Sequence, residues 1–312
     1  MKISSKHLSV LYSMTPDQFN AVEMHSFLNV INVIHLQLDL LKIKIESGNL
    51  LQPILDQTFE LSKQVKNKNH QVFLPGHIKT FQETVYQLLD LLDSKCSDTD
   101  ELAELNEAKQ VLTDVFKVMD IRSNELLQIT TNPGQWIQYS IAEFKDDFNT
   151  FFHAVEKNSK GRYRIVQNIA IQESNDYLIH FDVDSVLNGK LIMPIIFKDV
   201  IRDLIANARK YTNPGGSIHI GVYQKNNLLR FIVEDHGIGI PKKEIDNVFE
   251  YGYRANNVKH IQTMGGGFGL TKALYITVQL NGDMWIESTL NEGTKIIIEI
   301  PVPEKYVHAA NK

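Results

Sequence analysis

The chain has 312 residues, of which 43% are hydrophobic, so it is long enough to form two domains with packed cores. Its formal net charge of −5 argues against general nucleic-acid binding, and its single cysteine, Cys96, excludes an intrachain disulfide and a cysteine-based metal site. No apolar run approaches the ~18 residues that span a bilayer, and the first residues lack the apolar core of a signal peptide. These features predict a soluble, cytoplasmic protein without a membrane span.

The first strong element is a helix that begins at Thr15-Pro-Asp-Gln18. Thr15 suits the N-cap, proline suits the first helical position, and Gln18 completes a capping box. The helix is predicted to continue to about Ser47, where Gly48 and Asn49 end it. Its apolar residues recur every three or four positions, which favours a bundle or coiled-coil seam. These residues are Met24, Leu28, Ile31, Ile34, Leu38, Leu41 and Ile45.

His25 lies beside this apolar stripe, with Asn29 and Asn32 following at i+4 and i+7. A histidine in a helix is more often a packing residue than a catalytic one, so His25 alone supports either interpretation. His35 has apolar neighbours in the chain, which favours a packing role.

Residues 50–130 are predicted to be mostly helical, with a break at residues 67–76 and a capped, acidic helix start at residues 97–101. The turn residues 132–134 mark a domain boundary. The predicted organisation is a tail over residues 1–14, a helical domain over 15–131, a second domain over 135–303 and a tail over 304–312. Within the second domain, residues 135–156 are predicted to form a helix, and residues 162–171 and 177–182 to form strands.

The segment IRDLIANARKYTNPGG, residues 201–216, predicts an amphipathic helix that stops at its Asn-Pro-Gly-Gly end. Its polar face carries Asp203, Asn207 and Lys210. The neutral amide oxygen of Asn207 suits a Mg²⁺ ion that keeps most of its waters and bridges phosphates. Lys210 would add positive charge near those phosphates. An ordinary surface helix with a solvated polar side is the alternative.

The segment DHGIGIP, residues 235–241, follows an apolar run that predicts a buried strand. Its glycines let the backbone adopt φ > 0 and let a ligand approach closely. The carboxylate of Asp235 at the strand end suits a hydrogen bond from an exocyclic amine such as adenine N6. The alternative is a loop turn, since Asp-x-Gly turns are common.

The segment MGGGFGLTKAL, residues 264–274, places glycines directly before a helical pattern. Backbone N–H groups at such a helix start can bind phosphate oxygens. A flexible loop is the alternative, because a glycine-rich loop alone is weak evidence. Residues 285–301 then predict a closing hairpin of strands.

These segments, in this order, resemble the catalytic, ATP-binding domain of histidine kinases and the wider ATPase family that includes gyrase and Hsp90. The resemblance covers residues 135–303. Within it, residues 203–211 resemble the N box, 235–240 the G1 box, 248–254 the F box and 265–270 the G2 box. It implies an α/β sandwich, with a mixed sheet under helices and a mobile ATP lid between Phe249 and Gly269.

The resemblance also implies a set of nucleotide-binding residues. Asn207 would hold Mg²⁺, and Asp235 would recognise adenine, so ATP and Mg²⁺ are the expected cofactors. The other residues expected at the nucleotide are Lys210, Tyr211, Gly237, Gly239, Phe249, Gly265, Gly267, Gly269, Leu270 and Thr294. Histidine kinases usually carry Asn where this chain has Asp203, and the wider family often carries a glutamate that acts as a base on water. Asp203 is therefore compatible with a group beside the metal, a base or a helix-surface acid; a phosphate- or metal-side role is favoured.

In the first domain, EMHSFLNVIN, residues 23–32, resembles the H box of a dimerisation and histidine-phosphotransfer domain. His25 would be the phosphoacceptor, whose exposed imidazole nitrogen attacks the ATP γ-phosphate. Asn29 matches a position that helps place water for dephosphorylating a response regulator. An acidic residue usually follows the phosphoacceptor, but here it is Ser26. Such a domain usually needs only a helical hairpin that dimerises into a four-helix bundle, so an inserted hairpin is predicted, over about residues 50–96.

The favoured function is a cytoplasmic, homodimeric sensor histidine kinase. ATP would phosphorylate His25, and the phosphoryl group would pass to an aspartate of a separate response regulator, with regulator phosphatase activity as a further option. An upstream sensor protein is a further candidate partner. The second hypothesis is a degenerate, kinase-like scaffold that binds a regulator without autophosphorylation, which Ser26 favours. The third is an ATPase or protein serine kinase of the same superfamily, which Asp203 would suit. The predicted fold is α+β, with an N-terminal helical bundle and a C-terminal α/β sandwich.

Overall fold

The computed structural model describes residues 3–4, 14–67, 74–131, 134–157, 159, 161–225, 227–260 and 267–306. The chain divides into two compact units, a helical unit at Thr15–Pro133 and an α/β unit that combines Met1–Met14 with Gly134–Lys312. This mixed architecture confirms the predicted α+β fold class. Among the described residues, no helix is both long and apolar enough to cross a membrane.

The described residues of the helical unit form four α-helices. They are α1 (Pro16–Lys44), α2 (Gln52–Lys66), α3 (Pro75–Asp93) and α4 (Thr99–Thr131). The predicted capping box is present: the Gln18 N–H donates to Thr15 Oγ1 at 3.2 Å, and the Thr15 N–H donates to Gln18 Oε1 at 2.9 Å. Helix α1 ends at Lys44, earlier than predicted, because Ile45 adopts an extended conformation and a 3₁₀ helix follows at Glu46–Leu51.

All four helices of this unit share one apolar core. Phe27, Ile31, Ile34 and Leu38 of α1 are fully buried in it. Helix α1 packs against both α2 and α4, and α3 packs against α4. The α2–α3 pair falls within the predicted insertion, and its residues join the core of the two long helices.

The α/β unit is built on a mixed sheet of seven strands in the order β1-β8-β9-β7-β6-β4-β3, with a separate β2–β5 pair. The strands are β1 (Ile3–Ser4), β2 (Trp136–Ser140), β3 (Ile165–Val166), β4 (Tyr177–Ser185), β5 (Lys190–Pro194), β6 (Ser217–Lys225), β7 (Leu228–Asp235), β8 (Asp283–Thr289) and β9 (Gly293–Pro301). The helices are α5 (Ile141–Lys157), α6 (Ile195–Tyr211) and α7 (Gly269–Gln279). The strand and helix content agrees with the expected sandwich.

Side-chain alternation along β7 decides where the candidate site can form. Leu229, Phe231 and Val233 are buried, and the Phe231 ring meets the Phe197 ring of α6 at 6.2 Å between centroids. Because side chains alternate between the two faces of a strand, Asp235 continues this helix-covered row.

Two predicted elements in the α/β unit were only partly correct, since α5 covers most of the predicted helix and β3 a part of the predicted strand. Residues 136–140 form strand β2 instead of the start of a helix, because they pair antiparallel with β5 over five residues. The predicted strand at residues 162–171 is reduced to β3, and a 3₁₀ helix occupies Ile169–Ile171. Pairing with the distant strand β5 makes residues 136–140 a strand. In residues 162–171 only Ile165 and Val166 pair with another strand, so the rest of that segment is not a strand.

Candidate functional site

The turn after β7 is held between helix α6 and the β8–β9 hairpin. A Cβ atom on Gly237 would lie 2.2 Å from the Tyr211 carbonyl oxygen, and one on Gly239 would lie 2.0 Å from the Thr289 carbonyl oxygen. Gly239 also has φ +62°, which disfavours other residues. The two glycines are therefore required for close backbone packing, and this packing fixes Asp235 near the C-terminal end of α6.

Asp235 is a half-buried acid. Its Oδ1 accepts a hydrogen bond from the Gly237 N–H at 3.0 Å. Burial raises the pKa of Asp235 from 3.8 to about 6, against the opposing effect of backbone hydrogen bonds from Gly237 and Thr294. At neutral pH the group is mainly a carboxylate, and its negative charge makes it a strong acceptor for an amine donor.

A row of polar side chains crosses the sheet beside Asp235. Asp235 pairs with Thr294 in the β7–β9 ladder, and Thr294 pairs with Ser288 in the β8–β9 ladder. The Thr294 and Ser288 hydroxyl oxygens lie 2.8 Å apart, and the Ile240 N–H donates to Ser288 Oγ at 2.9 Å. Ser288 was not singled out from the sequence, because its role depends on strand pairing that the sequence does not display.

Helix α6 has the predicted two faces. Ile201, Leu204, Ile205 and Ala208 are buried. Asp203, Asn207 and Lys210 are each half-buried on the other side. The Lys210 ammonium lies 4.8 Å from the ring centroid of Tyr211, so the side chains of these two residues, both predicted at the nucleotide, contact each other.

The start of helix α7 lies directly against Asn207. A Cβ atom on Gly269 would approach Asn207 Nδ2 to 2.8 Å and Asp203 Cβ to 3.8 Å. Gly269 and Leu270 form the first residues of α7, whose leading N–H groups have no partner within the helix. The fold therefore brings an amide side chain and a helix N-terminus together, a combination that suits a phosphate-bound Mg²⁺ ion.

Asp203 forms an ion pair that the sequence analysis missed. Its Oδ2 lies 3.3 Å from the Nζ atom of Lys272, a buried residue of α7. A lysine inside the otherwise apolar stretch LTKALYI was the available signal, since a buried lysine requires a counter-ion. Asp203 lies one helical turn before Asn207 on the same helix, and the ion pair connects it to α7.

The segment between Phe249 and Gly269 is the predicted lid. Phe249 is fully buried, and Gly267 has φ +77° with its Cβ position 2.6 Å from the Tyr253 carbonyl oxygen. The Glu244 carboxylate accepts hydrogen bonds from the Tyr253 hydroxyl at 3.0 Å and from the Asn256 N–H at 2.7 Å, and these bonds lower its pKa. Gly265 lies outside the described residues, so its predicted contact is not placed.

A polar cavity of about 530 Å³ opens at the same end of the sheet. Its lining includes Asp235 and Thr294 from the helix-covered row. It also includes Glu234, Lys295 and Glu287, which are cross-strand neighbours on the other face of the sheet. Asn207 and Lys210 are not among its lining residues, so this cavity is distinct from the predicted triphosphate position.

In the helical unit, His25 and Asn29 are both half-buried on α1. The Nε2 atom of His25 has no solvent-accessible surface, whereas an exposed imidazole nitrogen was predicted. The side chain of Ser26 lies outside the described part of the structure. His35 Nδ1 lies 2.5 Å from the buried Thr58 hydroxyl, which supports its packing role.

Asn207 is the predicted metal ligand, and its surroundings fit a metal that is bound mostly through a substrate. Across the described ranges, no group of three histidine, cysteine, aspartate or glutamate side chains is arranged to hold a metal ion. A single amide beside a helix N-terminus instead suits Mg²⁺ that arrives on phosphates and keeps several waters.

Residues 194–304 match the family described as histidine kinase-, DNA gyrase B- and HSP90-like ATPases. This part of the chain is similar to that family. The match includes Asp203, Asn207, Asp235 and the start of α7, so the residues brought together above lie inside the matched region.

Several sensor histidine kinases are similar to the chain. WalK of Bacillus subtilis (strain 168) is 36% identical over 108 residues, 34% of this chain and 18% of WalK. RppB of a Synechocystis species is 36% identical over 103 residues, 33% of this chain and 23% of RppB. WalK of Staphylococcus epidermidis is 25% identical over 246 residues, 76% of this chain and 36% of that protein, so this match extends into the helical unit. The resemblance to sensor histidine kinases is confirmed, over regions that span well under half of these relatives.

Solved structures that match part of the chain include the catalytic domain of histidine kinase ThkA, 20% identical, with 54% of this chain and 95% of that chain covered and a TM-score of 0.39. A mycobacterial sensor histidine kinase, MprB, is 21% identical, with 54% of this chain and 97% of that chain covered and a TM-score of 0.36.

Proposed function

We propose that the protein is an ATP-dependent histidine kinase of a two-component system, which phosphorylates His25. The observation that carries the proposal is that Asn207 lies against the start of α7. Both lie in the region that matches the ATPase family, and so does Asp235. Phosphotransfer to an aspartate of a response regulator, homodimerisation and a cytoplasmic location belong to the same proposal.

The nucleotide would be bound by groups that the fold holds in place before binding. The Asp235 carboxylate accepts a hydrogen bond from adenine N6, and the close backbone packing at Gly237 and Gly239 holds that carboxylate in place. The N–H groups at the start of α7 and the Lys210 ammonium face the phosphates. Asn207 would hold Mg²⁺, which neutralises phosphate charge when bound. Catalysis would then rest on positioning and electrostatics.

The transfer step would use an imidazole nitrogen of His25 as the nucleophile. The nitrogen forms a bond to the γ-phosphorus while the bond from that phosphorus to the bridging oxygen of ADP breaks, and the displaced ring proton passes to solvent. Because Nε2 is buried, the ring must rotate or its neighbours must move before it reacts through that atom. Asn29, one turn away, is proposed to place water in regulator dephosphorylation.

The response regulator is proposed to bind the outer face of α1. Leu36, Leu40 and Ile43 follow His25 on this face, and their side chains are 54%, 43% and 75% exposed. Exposed apolar side chains in a row are typical of a protein-binding surface. A receiver domain bound there would lie next to the phosphorylated imidazole.

The first prediction concerns labelling with γ-labelled ATP. The wild-type protein should acquire acid-labile, base-stable phosphate, and His25→Gln should not, because the nucleophile is absent. His35→Gln is the matched control: this histidine lies on the same helix but contacts Thr58, so labelling should persist. Acid-labile label that survives in His25→Gln would reject the assignment of the phosphoacceptor.

A degenerate, nucleotide-binding scaffold is the second candidate. The buried Nε2 atom of His25 favours it, together with Ser26 in the place of the usual acid. The same labelling experiment separates the two functions, because a scaffold binds Mg·ATP without acquiring label. Acid-stable label or rapid release of free phosphate would instead indicate a serine kinase or an ATPase.

A further inference from the structure

A buried charge cluster connects helices α6 and α7 beneath the proposed phosphate position. The Lys272 side chain is 6% exposed, and its ammonium lies 3.3 Å from Asp203 Oδ2 and 3.6 Å from Asp199 Oδ2. Arg202 lies 3.4 Å from Asp199 Oδ1. The formal charges of these four side chains cancel.

Asp199 and Asp203 lie one turn apart on α6, and Asn207 lies one further turn along. Two carboxylates in this row would repel the triphosphate that Asn207 and the start of α7 are proposed to bind. The Asp203 carboxylate is 38% exposed, so it is the member of the cluster that a bound anion would meet. Loss of the lysine would leave one negative charge uncompensated in a partly desolvated place.

Lys272 is poorly explained as a packing residue. It lies in the first turn of α7 among the buried residues Thr271, Ala273 and Leu274, where an apolar side chain would avoid the cost of burying a charge. Its position within salt-bridge range of two acids explains why the charge is tolerated there.

We propose that Lys272 is a positioning residue for the nucleotide triphosphate: by neutralising Asp199 and Asp203 it lets the phosphates and their metal settle beside Asn207. This inference rests on the proposed function, since it requires Mg·ATP to bind at this place. It also assigns Asp203 as the partner of a buried lysine, and an acid held in such a pair is a poor general base.

The test is the affinity of the 312-residue protein for Mg·ATP and for AMP, measured by calorimetry. Lys272→Met keeps the length of the side chain but removes the charge. It should weaken Mg·ATP binding about tenfold, because one uncompensated and partly screened negative charge would then lie near the phosphates, and it should weaken AMP binding much less. Asp203→Asn should tighten Mg·ATP binding, and the double variant should recover most of the loss.

Two controls separate this role from simple stabilisation. Lys198→Met removes a different lysine, which lies on α6 at the opposite end of that helix from Asn207. The Lys198 side chain is 14% exposed and is paired with Asp147. This substitution should lower the melting temperature without changing the ratio of ATP to AMP affinity. Lys272→Arg keeps the charge and should retain that ratio, even where Lys272→Met fails to fold.

A double variant as weak as Lys272→Met, or an equal loss for ATP and AMP, would overturn the inference while leaving the proposed function intact. A wild-type protein that does not bind Mg·ATP would instead overturn the proposed function itself.

Discussion

Asp235 combines a half-buried position with a proposed task that needs its negative charge. Its pKa is raised to about 6 by burial, so protonation begins just below neutral pH. A protonated acid is a poorer acceptor for the adenine amine. We therefore predict that Mg·ATP affinity falls as the pH is lowered through 6, approaching about tenfold per pH unit well below it. Titration calorimetry between pH 5 and pH 8 measures this dependence.

The Asp235→Asn variant is the control, because ATP itself also titrates in this range and the variant shares that background. It should bind more weakly at pH 8 and lose the additional dependence. The raised pKa also means that the folded state binds protons more readily than the unfolded chain, so stability is gained below pH 6 and lost as the pH rises through it. The ligand-free variant should therefore be more stable than wild type at pH 7. A variant as pH-dependent as wild type would contradict this role for Asp235.

At the residue scale, the sequence predicted the side chains that form local motifs. Asp235, Gly237 and Gly239 lie in one turn, and the structure shows why their types are needed there. Lys272 and Ser288 were missed because their partners are far away in the chain: Asp203 lies 69 positions before Lys272, and Ile240 lies 48 positions before Ser288. Such pairs become visible only when helix packing and strand register are known.

At the element scale, helices with complete local signals were predicted more accurately than strands. The start of α1 is fixed by contacts within four residues, Thr15 to Gln18, so the sequence contains the whole cause. Strand β2 is fixed by pairing with β5, which lies more than 50 residues further along the chain. The end of α1 depends on the turn at Glu46–Leu51, where Gly48 is buried against the Lys42 backbone.

The capping box of α1 allows an element-scale prediction. Thr15→Ala removes the side-chain acceptor of the Gln18 N–H and should destabilise the helical unit by about 1 kcal/mol. Urea unfolding followed by circular dichroism measures the change. Thr80→Ala is the control, because exposed Thr80 lies inside α3 and its hydroxyl only donates back to the Gly76 carbonyl at 2.9 Å. A loss in Thr80→Ala as large as in Thr15→Ala would show that the cap is not responsible.

At the scale of the whole molecule, the chain consists of two compact units with separate cores. The α/β unit is discontinuous, because β1 pairs with β8 at the edge of its sheet, before the chain enters the helical unit. The division after residue 133 follows from turn residues that the sequence displays, whereas the β1 pairing has no comparable local signal. Two separate cores indicate that each unit has its own stability.

This organisation predicts that the 312-residue chain unfolds on heating in two transitions. Mg·ATP should raise the midpoint temperature of only one of them. Ligand at one hundred times its dissociation constant should stabilise the α/β unit by about 2.7 kcal/mol and leave the helical unit unchanged. Phe27→Ala should lower the midpoint temperature of the helical unit alone. This fully buried side chain belongs to the helical core, and its truncation costs about 3–5 kcal/mol of stability. Differential scanning calorimetry of the wild type and this variant, with and without Mg·ATP, assigns each transition. A single transition that both changes shift by comparable amounts would mean that the units unfold together, and the proposed independence would be wrong.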